Sequence, residues 1–475
     1  MMKITILGAG PGGYVAAIRA AQLGAEVTVI EESEVGGACL NRGCIPTKTL
    51  IASAEVLHKV KNSQNYGLEL NGSVSPNIYK IVERKNKVVD IQVKGIRGLF
   101  KSWGVKLIEG RGTIEGAGKI RVAMKDGSNE DIESGKIIIA TGSKPAGIPG
   151  FTFDGTRILS SDHAINPSTI PQSLIIIGAG VIGCEFAFIY KEFGADVTMV
   201  EMLPHAVSGE DDEISLLLER ELKKNKITLL ANTGVERAVV SGEGTSVQLT
   251  DGRTLEAEKV LVSVGRSVNS TDLGLENAGV KTGRKGEIIV DSHMRTNVEG
   301  IYAVGDVTGG IMLAHLASKE GTVAAENAMG GNAEVNYDVI PSAIFTSPEI
   351  GSVGLRERQV VEKGLKYKVG RSQFRALGKA HAMGEIAGMF KIISDEVTDK
   401  ILGAHIIGPH ASDLVHEIAV AMEKGLTVKD IARTIHAHPT LSEGIMEAAE
   451  DVHGSAIHCP KKEGKKMAPE TAGPV

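Results

Sequence analysis

Two stretches of this chain carry the same succession of apolar and polar positions. An apolar run through Ile4, Ile6 and Leu7 leads into Gly8-x-Gly10-x-x-Gly13. A helix-spaced stretch follows, then Gly24-Ala25, then a second apolar run ending at Glu31. Laid over residues 176–201 at an offset of 170, residues 6–31 match at 11 of 26 positions, among them Gly8/Gly178, Gly10/Gly180, Gly13/Gly183 and Glu31/Glu201. Strand, glycine turn, helix and strand repeated in this way predict a duplicated βαβ unit, and with it two nucleotide sites. Between and after the copies, residues 47–61 and 77–101 have helical spacing with Lys/Glu-rich faces, and 105–139 read as short strands broken by Gly and Asp-Gly. Lys136–Ala140 and 301–304 are apolar strands. Further strands are expected at 341–346, 388–393 and 401–407, and a helix near 411–424.

A chain of 475 residues is too long for one core; about three or four domains are expected. The pattern divides it into 1–145, a first dinucleotide-binding domain; 146–267, a second; 268–336, a central segment; and 337–458, an α+β domain. The tail 459–475 is lysine- and proline-rich without an apolar period, and is expected to be disordered. The fold class is therefore α/β, with two Rossmann-like domains and an α+β domain. Glycine is the compositional outlier, 58 residues, clustered where a backbone must turn or approach a ligand. The net charge of −6 argues against a nucleic-acid or acidic-membrane surface. There is no apolar run of roughly 18 residues, so no spanning helix is expected, and the first residues run straight into a strand. The expectation is a cytoplasmic chain. Four cysteines in a reducing compartment make a structural disulfide framework improbable, so the close pair Cys39 and Cys44 points to chemistry.

In each fingerprint the first glycine (Gly8, Gly178) permits a tight turn. The second (Gly10, Gly180) lets a pyrophosphate reach the backbone, and the third (Gly13, Gly183) lets helix pack on strand. Glu31 and Glu201 stand where an acid accepts from ribose hydroxyls. An acid at 201, followed by Met202, Leu203 and Pro204 and no arginine, favours a free 2′-hydroxyl, hence NAD over NADP. Cys39 and Cys44 have four residues between them, not the usual zinc spacing, and no second close pair completes a metal site. A redox-active pair competes with a metal site and with two inert buried thiols. Pro46 suits a helix's first turn, so a thiolate at Cys44 is expected to feel a helix N-terminus and Lys48.

Gly8–Gly13, the Cys39–Cys44 segment with Pro46 and Lys48, the second fingerprint with Glu185, and His436-Ala437-His438-Pro439-Thr440-Leu441-Ser442-Glu443 together resemble the flavin-dependent pyridine nucleotide–disulfide oxidoreductases. The resemblance spans residues 1 to about 458 and is strongest to the branch acting on dihydrolipoamide. It implies FAD in the first site and NAD in the second, and a dimerisation domain beginning in the segment Tyr337 to Glu349. It makes Cys44 the flavin-facing sulfur, Cys39 the interchange thiol, and Lys48 with Glu185 a pair beside the flavin and nicotinamide rings. It makes Asp306 the acid that binds the flavin's ribitol, and puts Thr141, Gly142, Leu313, Ala314 and Gly265 beside the cofactors. His438 with Glu443 resembles an acid–base pair; dithiol oxidation releases protons, and a histidine suits that task. His436 is expected to be structural, and no metal is implied. Ala38, Arg42, Thr47 and Val268 depart from the family's commonest residues without removing a catalytic group. The implied activity is oxidation of protein-bound dihydrolipoamide to lipoamide with NAD⁺ as acceptor; the rival is an NAD-linked reductase of another small disulfide. The implied partners are a second copy of the chain and lipoyl domains or proteins of a 2-oxoacid dehydrogenase or glycine cleavage system, with no nucleic acid and no membrane insertion.

Overall fold

The computed structural model describes residues 1–242 and 244–459, so all of the tail except Cys459 lies outside the described residues. The repeated pattern folds as two βαβ units of the same local geometry. Strands Lys3–Leu7 and Glu26–Glu31 pair in parallel across helix Pro11–Gln22, and strands Ser173–Ile177 and Asp196–Val200 across helix Val181–Phe193. The hydrogen bonds repeat with the sequence: Gly8 N–H donates to Ile30 O and Gly178 N–H to Val200 O, each at 2.8 Å. The strands are near-continuous apolar runs because helices and strands cover them on both faces, as parallel sheets require.

The chain groups into two compact units. One comprises residues 1–202 with 233–336; the other comprises 203–232 with the described residues from 337 to 459. In the first unit, a sheet runs in the order Ile301–Ala303, Lys136–Ile139, Lys3–Leu7, Glu26–Glu31, Lys106–Gly116, then the antiparallel strands Lys119–Met124 and Asn129–Glu133. Strand Ile301–Ala303, almost 300 residues after Lys3, thus extends the first sheet. Helix Ala314–Ala328 packs on helix Pro11–Gln22, and Arg19 donates to Glu326 Oε1 at 2.7 Å. The second βαβ unit is flanked by strands Lys259–Val262 and Ile158–Leu159.

The other unit holds an antiparallel sheet in the order Ser342–Ile344, Ile350–Gly354, Ile401–Ile407, Met389–Asp395, Tyr367–Gln373. Helix Glu443–Val452 lies close on this sheet because two side chains are missing. A Cβ at Gly370 would strike Ala448 O, and one at Gly444 would strike the Phe390 ring, which stacks on Phe374 at 4.3 Å. Ser372 Oγ donates to Gly444 O at 2.6 Å, and Asp451 accepts from Arg371 N at 2.8 Å. These contacts fix the helix that begins at Glu443.

Lys391, in the apolar strand Met389–Asp395, is 1% exposed. Its Nζ meets Asp211 Oδ1 at 2.8 Å, Glu213 Oε1 at 2.7 Å and Glu357 Oε2 at 2.6 Å. Burial alone lowers its proton affinity, but the hydrogen bonds to Asp211, Glu213 and Glu357 outweigh that and hold it above the usual lysine value. Asp211 and Glu213 are held below the usual carboxylate value; burial opposes this, and His405, Lys391 and Arg371 overcome it. The raised lysine stabilises the fold below its ordinary pKa and loses that contribution as pH rises through the folded value. The depressed acids contribute above their ordinary pKa and lose it as pH falls through theirs. The cluster therefore works across the neutral range and weakens at both ends. Lys391→Met strands three converging carboxylates and is expected to cost about 3–5 kcal/mol, read as a lower unfolding midpoint in a calorimeter. An unchanged midpoint would show that the cluster is not what holds residues 203–232.

Candidate active site

The two fingerprint loops are built alike. Gly8 has φ +98° and Gly178 φ +96°, the left-handed region where a side chain is strained. A Cβ at Gly13 would strike Gly8 O, and one at Gly183 would strike Gly178 O, so helix and strand approach as closely as backbone allows. Gly10 and Gly180 are N-caps with no side-chain cap, leaving the first-turn N–H groups of helices Pro11–Gln22 and Val181–Phe193 free to face phosphate oxygens. Glu31 Oε2 accepts from Ala9 N at 2.7 Å and Oε1 from Ser33 N at 2.8 Å; Glu201 Oε2 accepts from Ala179 N at 2.6 Å. Burial raises the Glu31 pKa, against the pull of those N–H groups and of Arg42. Both acids thus stand at the turn, where a ribose attached to a bound pyrophosphate presents its hydroxyls. The donor set and glycine cradles fit a dinucleotide in each loop.

Cys39 lies in the short helix Gly37–Arg42. Cys44 is the first residue of helix Cys44–Lys61, and the two form a disulfide with Cα atoms 4.7 Å apart. Thr47, a departure from the family's commonest residue, donates from Oγ1 to Gly43 O at 2.7 Å and secures the turn between the cysteines. Cys44 stands at the N-terminus of an 18-residue helix, where the backbone dipole favours negative charge on a sulfur released from the disulfide. Lys48, the cation expected to act on Cys44 as well, carries an ion pair of its own. Lys48 Nζ donates to both oxygens of Glu185, at 2.8 and 2.9 Å, and Glu185 is 3% exposed on helix Val181–Phe193. This ion pair joins the helix of the disulfide to the helix of the second fingerprint. Arg42 is likewise balanced, with Nε 3.8 Å from Asp162 Oδ2.

Asp306 follows strand Ile301–Ala303 and is positioned by Ser143 and Arg266, which lie outside the glycine fingerprints and the cysteine and histidine motifs. Ser143 Oγ donates to Asp306 Oδ2, while Arg266 donates to Ser143 Oγ at 2.7 Å and to Ser143 O at 2.8 Å. Arg266 Nε is also 3.7 Å from Asp306 Oδ2. Strand Arg266–Val268 pairs with Ser143–Pro145, and Val268 stands opposite Ser143 in that register. Thr141 Oγ1 donates to Asn269 O at 2.7 Å, and Asn269 N–H to Gly142 O at 2.9 Å. Gly142 and Gly265, at φ +69° and +119°, flank this crossing. Leu313 is the N-cap and Ala314 the first residue of helix Ala314–Ala328, and Glu320 on that helix accepts from Gly305 N at 2.6 Å. Ser143 and Arg266 had one available signal, a polar residue after a glycine at the start of a strand; Asn269 and Glu320 had none.

In the other unit, His438 Nδ1 lies 2.8 Å from Glu443 Oε1, and Thr440 N–H donates to Glu443 Oε2 at 2.9 Å. The Glu443 pKa is lowered; burial opposes this, and the Thr440 and His438 hydrogen bonds prevail. An ionised Glu443 accepts from a proton on Nδ1 and leaves the Nε2 lone pair open. The His438 side chain is 76% exposed, and among the described residues its Nε2 has no hydrogen-bond partner. His436 is the contrast: its ring is buried between Thr434 O and Glu417 Oε1, each at 2.8 Å, as a structural residue should be. No group of three or more His, Cys, Asp or Glu among the described residues is arranged to hold a metal.

A doubled dinucleotide fold with a disulfide beside it defines a class, and comparison with known proteins agrees. The chain belongs to the pyridine nucleotide-disulphide oxidoreductase family, whose model matches residues 2–321, with the family's dimerisation domain matching residues 340–449. FAD and NAD(H) are this family's cofactors, and Cys39–Cys44 is the redox-active disulfide. Among curated relatives, dihydrolipoyl dehydrogenase 3 of Haloarcula marismortui is 42% identical over 466 residues, covering 96% of this chain and 97% of that protein. Dihydrolipoyl dehydrogenase of Chlamydia muridarum is 43% identical over 458 residues, with the same coverage. Among solved structures, LpdA of Mycobacterium tuberculosis aligns with TM-score 0.90 and 33% identity, covering 95% of this chain and 99% of that one.

Proposed function

We propose that this chain oxidises protein-bound dihydrolipoamide to lipoamide, with NAD⁺ as electron acceptor, in the cytoplasm. The observation that carries the reading is the joint presence of the Cys39–Cys44 disulfide and the His438–Glu443 pair in a chain over 40% identical, along nearly its whole length, to dihydrolipoyl dehydrogenases. One substrate thiol attacks Cys39 Sγ while His438 Nε2 takes its proton, and Cys44 leaves as a thiolate favoured by its helix terminus. The second substrate thiol then displaces Cys39, giving the substrate disulfide and the reduced Cys39/Cys44 pair. When bound in the first loop, FAD supplies the two-electron link between this pair and NAD⁺. Lys48 and Glu185 hold the helices of the two sites together, and Asp306 and Glu31 hold polar groups of the first dinucleotide.

The test is steady-state NADH formation from dihydrolipoamide, set against NADH oxidation by a panel of small disulfides. High kcat/KM with dihydrolipoamide and poor use of glutathione or cystine disulfides is expected; the reverse order would support the rival reductase. NAD⁺ is expected to be strongly preferred over NADP⁺. Glu201→Arg removes a repulsive charge and adds a phosphate partner, and is expected to narrow or reverse that preference in the ratio of kcat/KM values.

The working unit is a homodimer with shared sites, in which the cysteine pair of one subunit is served by His438 and Glu443 of the partner subunit. The exposed, unpartnered Nε2 supports this reading. Heterodimers of Cys44→Ser with His438→Gln would put both lesions in one site and none in the other. Tag-selected heterodimers are expected to recover roughly one working site per dimer, by counting under two-fold symmetry; heterodimers as inactive as either parent would contradict sharing.

A further inference from the structure

Helix Ile78–Ser102 carries seven lysines and arginines against two acids, a net +5 in a chain whose total is −6, so the other residues carry −11. Three of these cations are engaged. Arg84 donates to Thr49 O at 3.2 Å, Lys85 donates to Asn166 Oδ1, and Arg97 donates to Glu34 and Glu109 at 2.7 Å each. The remaining four, Lys80, Lys87, Lys94 and Lys101, recur every seventh residue. At the α-helical rise and turn, each step advances about 10.5 Å and drifts only about 20°, so the four form a row some 31 Å long on one face. All four are exposed, and among the described residues no ammonium group of the row has a hydrogen bond or ion pair. Ile91, 56% exposed, stands beside the row, and at Gly95 and Gly98 the space a Cβ would fill is open. The same helix packs against helices Cys44–Lys61 and Gly37–Arg42, which hold the two halves of the disulfide.

We propose that this lysine row is the docking surface for the carrier domain that delivers the dithiol, and that the carrier meets it with an acidic face. The inference rests on the dithiol-oxidation reading above. A partner with an acidic face is repelled by the −11 spread over the rest of the chain and attracted to this one face, so the charge distribution steers as well as binds. The four lysines have no internal partner to give up. A mainly electrostatic face with one apolar residue suits brief visits by a substrate carrier, where a permanent subunit contact would be larger and more apolar. Attachment of a lipoyl group to a carrier lysine also removes a positive charge from that carrier, improving the match.

The experiment uses the FAD-loaded enzyme with Lys80→Gln, Lys87→Gln, Lys94→Gln and Lys101→Gln combined. It compares free dihydrolipoamide with the reduced lipoyl group on a purified, net-acidic lipoyl domain, at low and high salt. The variant is expected to keep its kcat/KM for free dihydrolipoamide. For the domain-borne group it is expected to lose about tenfold in kcat/KM at low salt, mostly through KM, and to lose most of its salt dependence. Unchanged kinetics with the domain would overturn the proposal, as would a changed oligomeric mass, which assigns the face to a subunit contact. Failure of the unmodified enzyme to use free dihydrolipoamide would overturn the functional reading itself, and the free-substrate arm shows which of the two has failed.

Discussion

A Cys44→Ser enzyme is expected to have no dithiol-dependent turnover and no long-wavelength charge-transfer absorbance when reduced, while Cys39→Ser is expected to show that absorbance without reduction. A serine hydroxyl near neutral pH is a far poorer donor than a thiolate, and position 44 is the one at a helix N-terminus. With Cys39 replaced, Cys44 has no disulfide partner in the pair and stays a thiolate at that terminus. Turnover falls to background in both variants because either change removes the disulfide. Absorbance spectra before and after anaerobic reduction distinguish the two sulfurs, and the opposite pattern would exchange their roles.

His438→Gln is expected to lower kcat/KM for dihydrolipoamide by about 10²–10⁴-fold, the usual worth of a positioned acid–base group. Glutamine can still face Glu443 but cannot take the substrate proton. Glu443→Gln is expected to lose less, because it leaves the imidazole in place and removes only the charge that orients Nδ1 and stabilises the imidazolium. Since Glu443 is held ionised below the ordinary glutamate range, its support of His438 persists on acidification until the pH falls through that lowered value. The acid limb of the unmodified enzyme should therefore report a single ionisation. Equal losses in the two variants would mean that His438 acts only as a partner of Glu443.

The repeat shows how far local pattern reaches. Gly8 and Gly178 fall at the same turn, with φ values two degrees apart, because a left-handed backbone pressed against Ala140 O and Ser263 O, respectively, leaves no place for a Cβ. Cys39, Cys44 and Pro46 lie within eight residues, so their spacing was open to reading, and so was the His438–Glu443 pair. Contacts over long separations were not. Arg266 reaches Ser143 across 123 residues, and Ser143 reaches Asp306 across 163. Lys48 and Glu185, 137 residues apart, were paired only through the family resemblance. Nothing in the local pattern singles out the run Glu210-Asp211-Asp212-Glu213 or ties it to Lys391, which lies 180 residues beyond Asp211. Only the fold reveals that Asp211 and Glu213 converge on Lys391 in a buried cluster.

The most direct test of the account follows electrons through the cysteines in a single turnover. The oxidised, FAD-loaded enzyme is mixed anaerobically with one equivalent of dihydrolipoamide, quenched with an alkylating agent before or after NAD⁺ is added, and mapped by mass spectrometry. Both Cys39 and Cys44 should be alkylated before NAD⁺ and protected again after it, with about one NADH formed per chain. NADH formed at that yield while Cys39 and Cys44 stay unalkylated throughout would contradict it.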